Sequence, residues 1–456
     1  MIMIERTKRR DFLRASLLAG GCALISNHRA WAQRSSNRKL KVALIGAGGI
    51  AKTAFSDCAR EIVVAIADVD QKQGKPGFTK FPNAKRYTDF RKLLDTHEKE
   101  LDAVIVSTPD HTHFAATYDA MQRGIAVQTQ KPLTHDLWQA RTLQKAYQKF
   151  KVPTVMGNQG HTMEGMRYIR EWYEAGLAGE IVEVHAWTNR TTKNNTNAAR
   201  SKDLPGIPVP SHLDWDLWQG PVPEKRLIEG LVPSGWRWWW DYGLGGLGDI
   251  GCHTLDIPVY ALGLGMPVSV RTDKSIDFSR ESGGKTPRPE AMTYIYEFER
   301  GGGKPNLKVY WYEGGHLPRI PGSQTGSKTI GGGGCLLVGE KNTIVSPGMR
   351  PTSPRMAENW EEIRRNLPAK TIPRAIGGPI KELFATIRGE IEKPGSDFDY
   401  AAPLTEIVIL GTLAMRSGKE VRYQAEKMTF EDPSLNPYIK APVRPGWDYG
   451  ADLWND

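Results

Sequence analysis

Disulfide chemistry has almost nothing to work with in this chain. Its 456 residues contain four cysteines. The three beyond residue 32, Cys58, Cys252 and Cys335, are odd in number and lack paired spacing, so no disulfide framework is implied. The apolar stretch from Ala15 to Ile25 is too short to serve as a permanent bilayer anchor. No internal repeat appears. No tight ligand cluster forms among His111, His113, His253 and Asp249, so a metal centre is not expected. The run Gly322-Ser323-Gln324-Thr325-Gly326-Ser327-Lys328-Thr329 superficially suggests a phosphate loop, but the spacing is wrong and no buried strand precedes it. A basic stripe for nucleic acid is also missing. The net charge is +10, but Arg6, Lys8, Arg9, Arg10, Arg14 and Arg29 against Glu5 and Asp11 account for four of it. The remainder is spread, with both signs interspersed, over 424 residues.

What is present begins with an export-like leader. Thr7-Lys8-Arg9-Arg10-Asp11-Phe12-Leu13-Arg14 resembles a twin-arginine signal, followed by the short apolar stretch and Ala30-Trp31-Ala32, a small-x-small cleavage site. Leu18-Ala19-Gly20-Gly21-Cys22 has its leucine one place out of register for a lipoprotein box. Residues 1–32 are therefore expected to be a signal peptide and the protein periplasmic. Twin-arginine export carries folded proteins, typically with cofactor already loaded. A nucleotide-dependent enzyme sent to a compartment without free nucleotide must hold its cofactor tightly.

The mature chain appears organised around Leu40-Lys41-Val42-Ala43-Leu44-Ile45-Gly46-Ala47-Gly48-Gly49-Ile50-Ala51. An apolar strand runs into Gly46-x-Gly48-x-x-Ala51, where Gly46 permits a tight turn and Gly48 lets a pyrophosphate approach. Ala51 lets the following helix pack, and helix-end N–H groups, near Gly49 and Ile50, face the phosphates. A second apolar run, Ile62 to Ala67, ends in Asp68, twenty residues after Gly48. A carboxylate there accepts both hydroxyls of an adenosine ribose and repels a 2′-phosphate, favouring NAD while leaving NADP open. Strand and helix signals then alternate through Ala103–Val106, Ala126–Gln130 and Val152–Met156, which predicts a doubly wound parallel sheet over residues 39–158. Ligands of such sheets sit at the carboxyl ends of strands. That edge carries Asp68, Thr108-Pro109, His113 in the next helix, Gln130-Lys131-Pro132 and Asn158-Gln159.

From residue 159 to 422 the pattern predicts an α+β domain with a large open, mostly antiparallel sheet and helices on one face. Residues 423–456 form a C-terminal extension. A tryptophan-rich loop runs from Thr188 to Tyr242, and a helix from about Gly245 to Leu262. The long loop between Gly314 and Gly334 suits a lid or interface element. An uncovered apolar sheet face suggests a homo-oligomer. The tryptophans are mostly expected in the core, with one or two facing a pocket.

Asp249 and His253, four apart in the last of these helices, share a face, with Asp256 three residues further on. Together Gly46-x-Gly48-x-x-Ala51, Thr108-Pro109, Gln130-Lys131-Pro132 and Asp249-x-Gly251-x-His253 resemble, in order and spacing, the Gfo/Idh/MocA family of glucose–fructose oxidoreductase and inositol dehydrogenase. The likeness runs from about Lys39 to Arg422. It implies that Lys131, Asp249 and His253 are the catalytic group, with Gln130 replacing the family's usual glutamate. The residues alone suit that role. His253, with an ordinary pKa near 6.5, serves as base, Asp249 orients its ring, and Lys131 stabilises alkoxide charge. Gln159 and His161 are added as substrate contacts. The expected activity is hydride transfer between a tightly held nicotinamide cofactor and a secondary alcohol or ketone of a sugar, sugar derivative or polyol. The alternative is a redox-neutral glycosidase or lyase acting through a transient keto-sugar. Relatives that work that way generally lack the lysine before proline, which this chain keeps.

Overall fold

Five short segments with almost no polar residues build the first sheet. The computed structural model describes residues 38–190, 204–276, 291–318 and 331–454, so the export-like leader and the Gly322–Thr329 run lie outside the described residues. Strands β1 (Lys41–Ile45), β2 (Ile62–Ala67), β3 (Lys85–Tyr87), β4 (Ala103–Val106), β5 (Ala126–Thr129) and β6 (Thr154–Met156) are all parallel, in the order β3-β2-β1-β4-β5-β6. β4, β5 and β6 are buried along their whole length because helices cover both faces, which is why they read as continuous apolar runs. Helices α1 (Gln71–Lys80), α2 (Phe90–His97), α3 (Asp110–Gln122) and α4 (Leu137–Phe150) connect the strands, with Asp70, Asp89 and Asp136 as side-chain N-caps of α1, α2 and α4. β3 is the one strand the sequence did not announce. Its Lys-Arg-Tyr is mostly exposed on an edge, where no apolar signal is needed.

The second sheet has seven strands. β7 (Ile181–Thr188), β8 (Ser269–Asp273), β9 (Met292–Phe298), β10 (Leu307–Glu313), β11 (Gly333–Gly339), β12 (Thr343–Pro347) and β13 (Arg355–Met356) lie in the order β13-β12-β11-β7-β10-β9-β8. Only the β7–β10 pair is parallel. The outer face of this sheet buries Trp187, Tyr312 and Leu336 and leaves Tyr310, Val338 and Val345 only partly covered.

Between helix α5 (Glu164–Glu174), which opens the second half, and the chain's end, four features join the two sheets. Helix α6 (Asp256–Leu262) packs on α5, and α7 (Pro379–Arg388) returns to the first sheet, burying Leu383, Phe384 and Ile387 against β5 and β6. The 20-residue α8 (Phe398–Ser417) is apolar enough to cross a membrane by length and composition, yet it is a core helix, packed on α4 and β8. It starts at Phe398, five residues before its internal Pro403, where Asp397 caps it by accepting from the Tyr400 N–H. Residues 433–454 then strap back over the first domain. The Trp138 N–H donates to Ile439 O at 2.9 Å, Ala441 N–H donates to Asp136 at 3.0 Å, and Trp454 stacks on Trp138.

α4 and α8 are also joined by a buried pair. Arg141 donates twice to Glu406, at 2.9 and 2.8 Å, and the Glu406 side chain is fully buried. Burial raises the Glu406 carboxyl and Arg141 opposes the rise. Arg141→Met strands that carboxylate, so a stability loss of about 3 kcal/mol is expected in denaturant unfolding, with Glu406→Gln in the same background recovering part of it.

Candidate active site

Gly46 leaves β1 with φ +84°, and a Cβ there would lie 2.7 Å from Ser107 O. Gly48 is forced by a different neighbour than the expected phosphate, since its Cβ would lie 2.4 Å from Gln73 O of α1. The turn then enters a 3-10 helix, Gly49–Ala54, rather than an α-helix, and Gly49 has open space where a Cβ would point. These residues form one wall of a groove holding about 1150 Å³ of empty space. Ile50, Asp68, Ser107, Thr108 and Pro109 line the same wall. Asp68 accepts from Ala47 N and Asp70 N, both at 2.9 Å. Each carboxylate oxygen retains a lone pair for a ribose hydroxyl. Burial, against those two backbone bonds, pushes the Asp68 carboxyl up to about 6. Ser107 Oγ and Thr108 Oγ1 are buried without a partner among the described residues, as polar atoms awaiting a ligand would be. The cradle, the carboxylate and the orphaned hydroxyls fit a dinucleotide.

The opposite wall comes from far away in sequence. Leu217, Trp218, Val232 to Ser234, Trp236 and Arg237 of the tryptophan-rich loop close over the groove, and Trp447 of the strap completes it. The loop is anchored to the strand tip by Asp214 N–H donating to Val69 O and by His212 against Asp70. Trp447 is held between Phe90 and the guanidinium of Arg91. Two tryptophans of the loop, with Trp447, thus face a pocket, but it is the nucleotide groove.

Lys131 lies two residues beyond β5, beside Thr108 beyond β4, because Thr129 and Val106 are in register. Its ammonium donates to Asp249 O at 2.6 Å and to Asp249 Oδ1 at 2.8 Å. Asp249 sits in a π turn, Leu247–Gly251, inside the expected helix. Arg190 pairs with the other carboxylate oxygen, and Arg237 Nε lies 3.7 Å from Oδ1. Burial works to raise the Asp249 carboxyl, but Lys131, Arg237 and Arg190 hold it far below the usual range. The expected Asp249–His253 hydrogen bond is therefore replaced by Asp249–Lys131, since cations win the carboxylate. His253 is buried with Nδ1 unpartnered among the described residues. Burial, then Lys131 and Arg350, push its imidazole down to about 3, not the 6.5 of a free ring.

Several expected contacts lie behind the site instead. His113 is buried beneath the groove with one ring nitrogen 2.8 Å from the Pro132 carbonyl and the other 2.8 Å from the Thr108 carbonyl; burial keeps the ring neutral, so it donates to one of the two, and it does not line the groove. His161 and Asn158 both engage Asp256, at 3.0 and 2.9 Å, and Tyr400 completes that buried cluster. The carboxylate takes Nδ1 of His161 and Nδ2 of Asn158, while Asn158 Oδ1 stays without a partner among the described residues. Gln130 is buried against Gly157, outside the groove wall. Gln159 accepts from Arg350 at 3.2 Å. Arg190, Arg237, Arg350 and Asp110 were not anticipated. Asp110, at the start of α3, is pushed up to about 7 by burial, against Lys131 and Arg237.

Two outcomes follow from these environments. Below pH 6 Asp68 gains a proton and loses ribose acceptors, so NAD affinity should fall by up to about tenfold per pH unit, and Asp68→Asn should flatten that profile in equilibrium dialysis. Trp447→Ala should speed NAD release by about tenfold in a stopped-flow chase, the scale of a lost aromatic contact.

Residues 40–158 match the NAD-binding Rossmann fold of the GFO_IDH_MocA oxidoreductase family, and residues 165–294 match that family's C-terminal alpha/beta domain. Inositol 2-dehydrogenase 4 of Saccharopolyspora erythraea is 33% identical over 105 residues, covering 22% of this chain and 30% of that protein. A glycosyl hydrolase family 109 protein of Stenotrophomonas maltophilia is 28% identical over 199 residues, 39% and 41% of the respective lengths. The chain thus spans less than half the length of these curated relatives. An inositol dehydrogenase homolog from Azotobacter vinelandii, solved with NADH and myo-inositol, superposes with a TM-score of 0.54 at 17% identity, covering 85% of this chain and 98% of that one, and shares the fold. With both halves matched in order, the chain belongs to the Gfo/Idh/MocA family of oxidoreductases, and its first domain is an NAD-binding Rossmann domain.

Proposed function

We propose that this protein oxidises or reduces a CH–OH carbon of a sugar, sugar derivative or polyol, using a captive NAD, after export through the twin-arginine pathway. The observation that carries the reading is the Lys131 ammonium fixed on Asp249, with Arg237 reaching from that pair to the nucleotide groove. An ammonium has three donors. Two are taken by Asp249, which leaves one for a substrate oxygen and fixes its direction. That remaining hydrogen bond steadies the oxygen as its charge grows, in a site already organised before substrate arrives. His253 stays neutral through the physiological range and keeps an acceptor nitrogen for the hydroxyl proton. Bound nicotinamide supplies the carbon that takes or returns the hydride.

The three-sided groove supports tight retention, and retention suits a compartment without free nucleotide. The export part of the proposal rests on residues 7–32 of the sequence. The relative named an inositol dehydrogenase favours a polyol or sugar. The likeness to a glycosyl hydrolase family 109 protein favours the second reading, in which the hydride returns to the same substrate and a glycoside is cleaved. The Lys131–Asp249 pair weighs toward net redox chemistry.

Purified protein should release NAD on denaturation. A sugar panel should change the 340 nm absorbance of the bound nucleotide, and Lys131→Met should slow that change by about 10²–10³-fold while nucleotide stays bound. Glycoside cleavage without a lasting absorbance change decides for the second reading. With the His253 imidazole near 3, kcat/KM should show no acid limb from this ring between pH 5 and pH 8, as a pH series on the wild type would read directly.

A further inference from the structure

One carboxylate at the site faces more cations than it can balance. Asp249 meets Lys131, Arg190 and Arg237. Arg237 stacks on Trp236 at 4.4 Å and lines the nucleotide groove, which assigns it to the cofactor side. Arg190 and Arg350 come from the second sheet. They stand two residues beyond Thr188 of β7 and three beyond Pro347 of β12.

Gly333 of β11 is opposite Thr188, and Gly334 is opposite Pro347, so both arginines leave the sheet at the same end. With β11 between them, the strand ends that carry the two arginines stand about 10 Å apart, two strand spacings. Both turns are pinned, by Asn189 N–H donating to Gly332 O, Gly348 N–H to Gly333 O and Gly314 N–H to Arg190 O. Arg350 gives one N–H to Gln159, while its buried Nε has no partner among the described residues. Glu313, at the end of β10, is fully buried and already accepts the Tyr294 hydroxyl at 3.0 Å. Lys131, Arg190, Arg237 and Arg350 outnumber Asp249 and Asp110 at the site. A neutral sugar leaves that repulsion in place. An anion relieves it, and a guanidinium fork matches a carboxylate or phosphate in geometry as well as charge.

We propose that the substrate carries an anionic group, a carboxylate or a phosphate, held between Arg190 and Arg350 while its carbinol meets Lys131. This rests on the dehydrogenase reading of the same site. An anion there also opposes the part of the His253 depression that comes from Lys131, Arg350 and Arg190, while burial, the larger cause, stays in place.

The test is equilibrium binding to the NADH-loaded full chain, followed by nicotinamide fluorescence, with glucose, glucuronate and glucose 6-phosphate as probes. At least one anion should bind about tenfold or more tightly than glucose, and raised salt should narrow the gap. Whichever anion binds better separates carboxylate from phosphate. Arg350→Gln should collapse the preference toward unity and Arg350→Lys should restore part of it. Arg190→Gln, at a side chain 48% exposed, gives the same reading without threatening the fold. Glucose binding as tightly as both anions, or a preference untouched by both glutamine variants, overturns the proposal. Anion-selective binding with no absorbance change for any probe supports the proposal and overturns the dehydrogenase reading. Turnover of glucose with no anion preference does the reverse.

Discussion

The Lys131–Asp249 contact is what the two halves of the molecule converge on. Lys131 is carried by the tip of a parallel strand in the first domain, and Asp249 by a π turn that faces it from the second. Neither group is stable alone in that place. A buried carboxylate without a cation would take up a proton, and a buried ammonium without an anion would lose one. Paired, each fixes the other's charge and direction. Desolvation makes the interaction costly to break, so it fixes the catalytic geometry where the two halves meet.

Around that contact several buried polar groups are tied down by one another. Asp256 gathers Asn158, His161 and Tyr400 into a closed cluster behind the site. His113 lies between the Thr108 and Pro132 carbonyls and donates to one of them. These contacts hold the strand tips still. Among the described residues, the buried polar atoms without a partner include those of Ser107, Thr108, His253 and Arg350 at the site and others elsewhere, such as Arg374 and Tyr423.

Much of this was legible in the chain itself, for physical reasons that also mark the limit. The parallel sheet was readable because strands covered on both faces have no polar alternation to hide them. Asp68 and Lys131 were readable because strand ends in such sheets face ligands. Local spacing failed where the deciding contact was distant. Asp249 and His253 share a helix, which suggested a pair, but two arginines and a lysine from other elements claimed the carboxylate. His161 follows the correct strand, and its partner is a carboxylate 95 residues later. Arg190 and Arg350 belong to no motif. They become neighbours only through the order β12-β11-β7, which no short window contains.

The nucleotide groove takes its floor from residue 46 onward and its final wall from Trp447, about four hundred positions downstream. A ribosome adding roughly 5–20 residues per second covers that interval in some tens of seconds. Trp447 is thus the last piece of the groove to be made, and every residue of its floor and of its loop wall is already synthesised when the strap arrives.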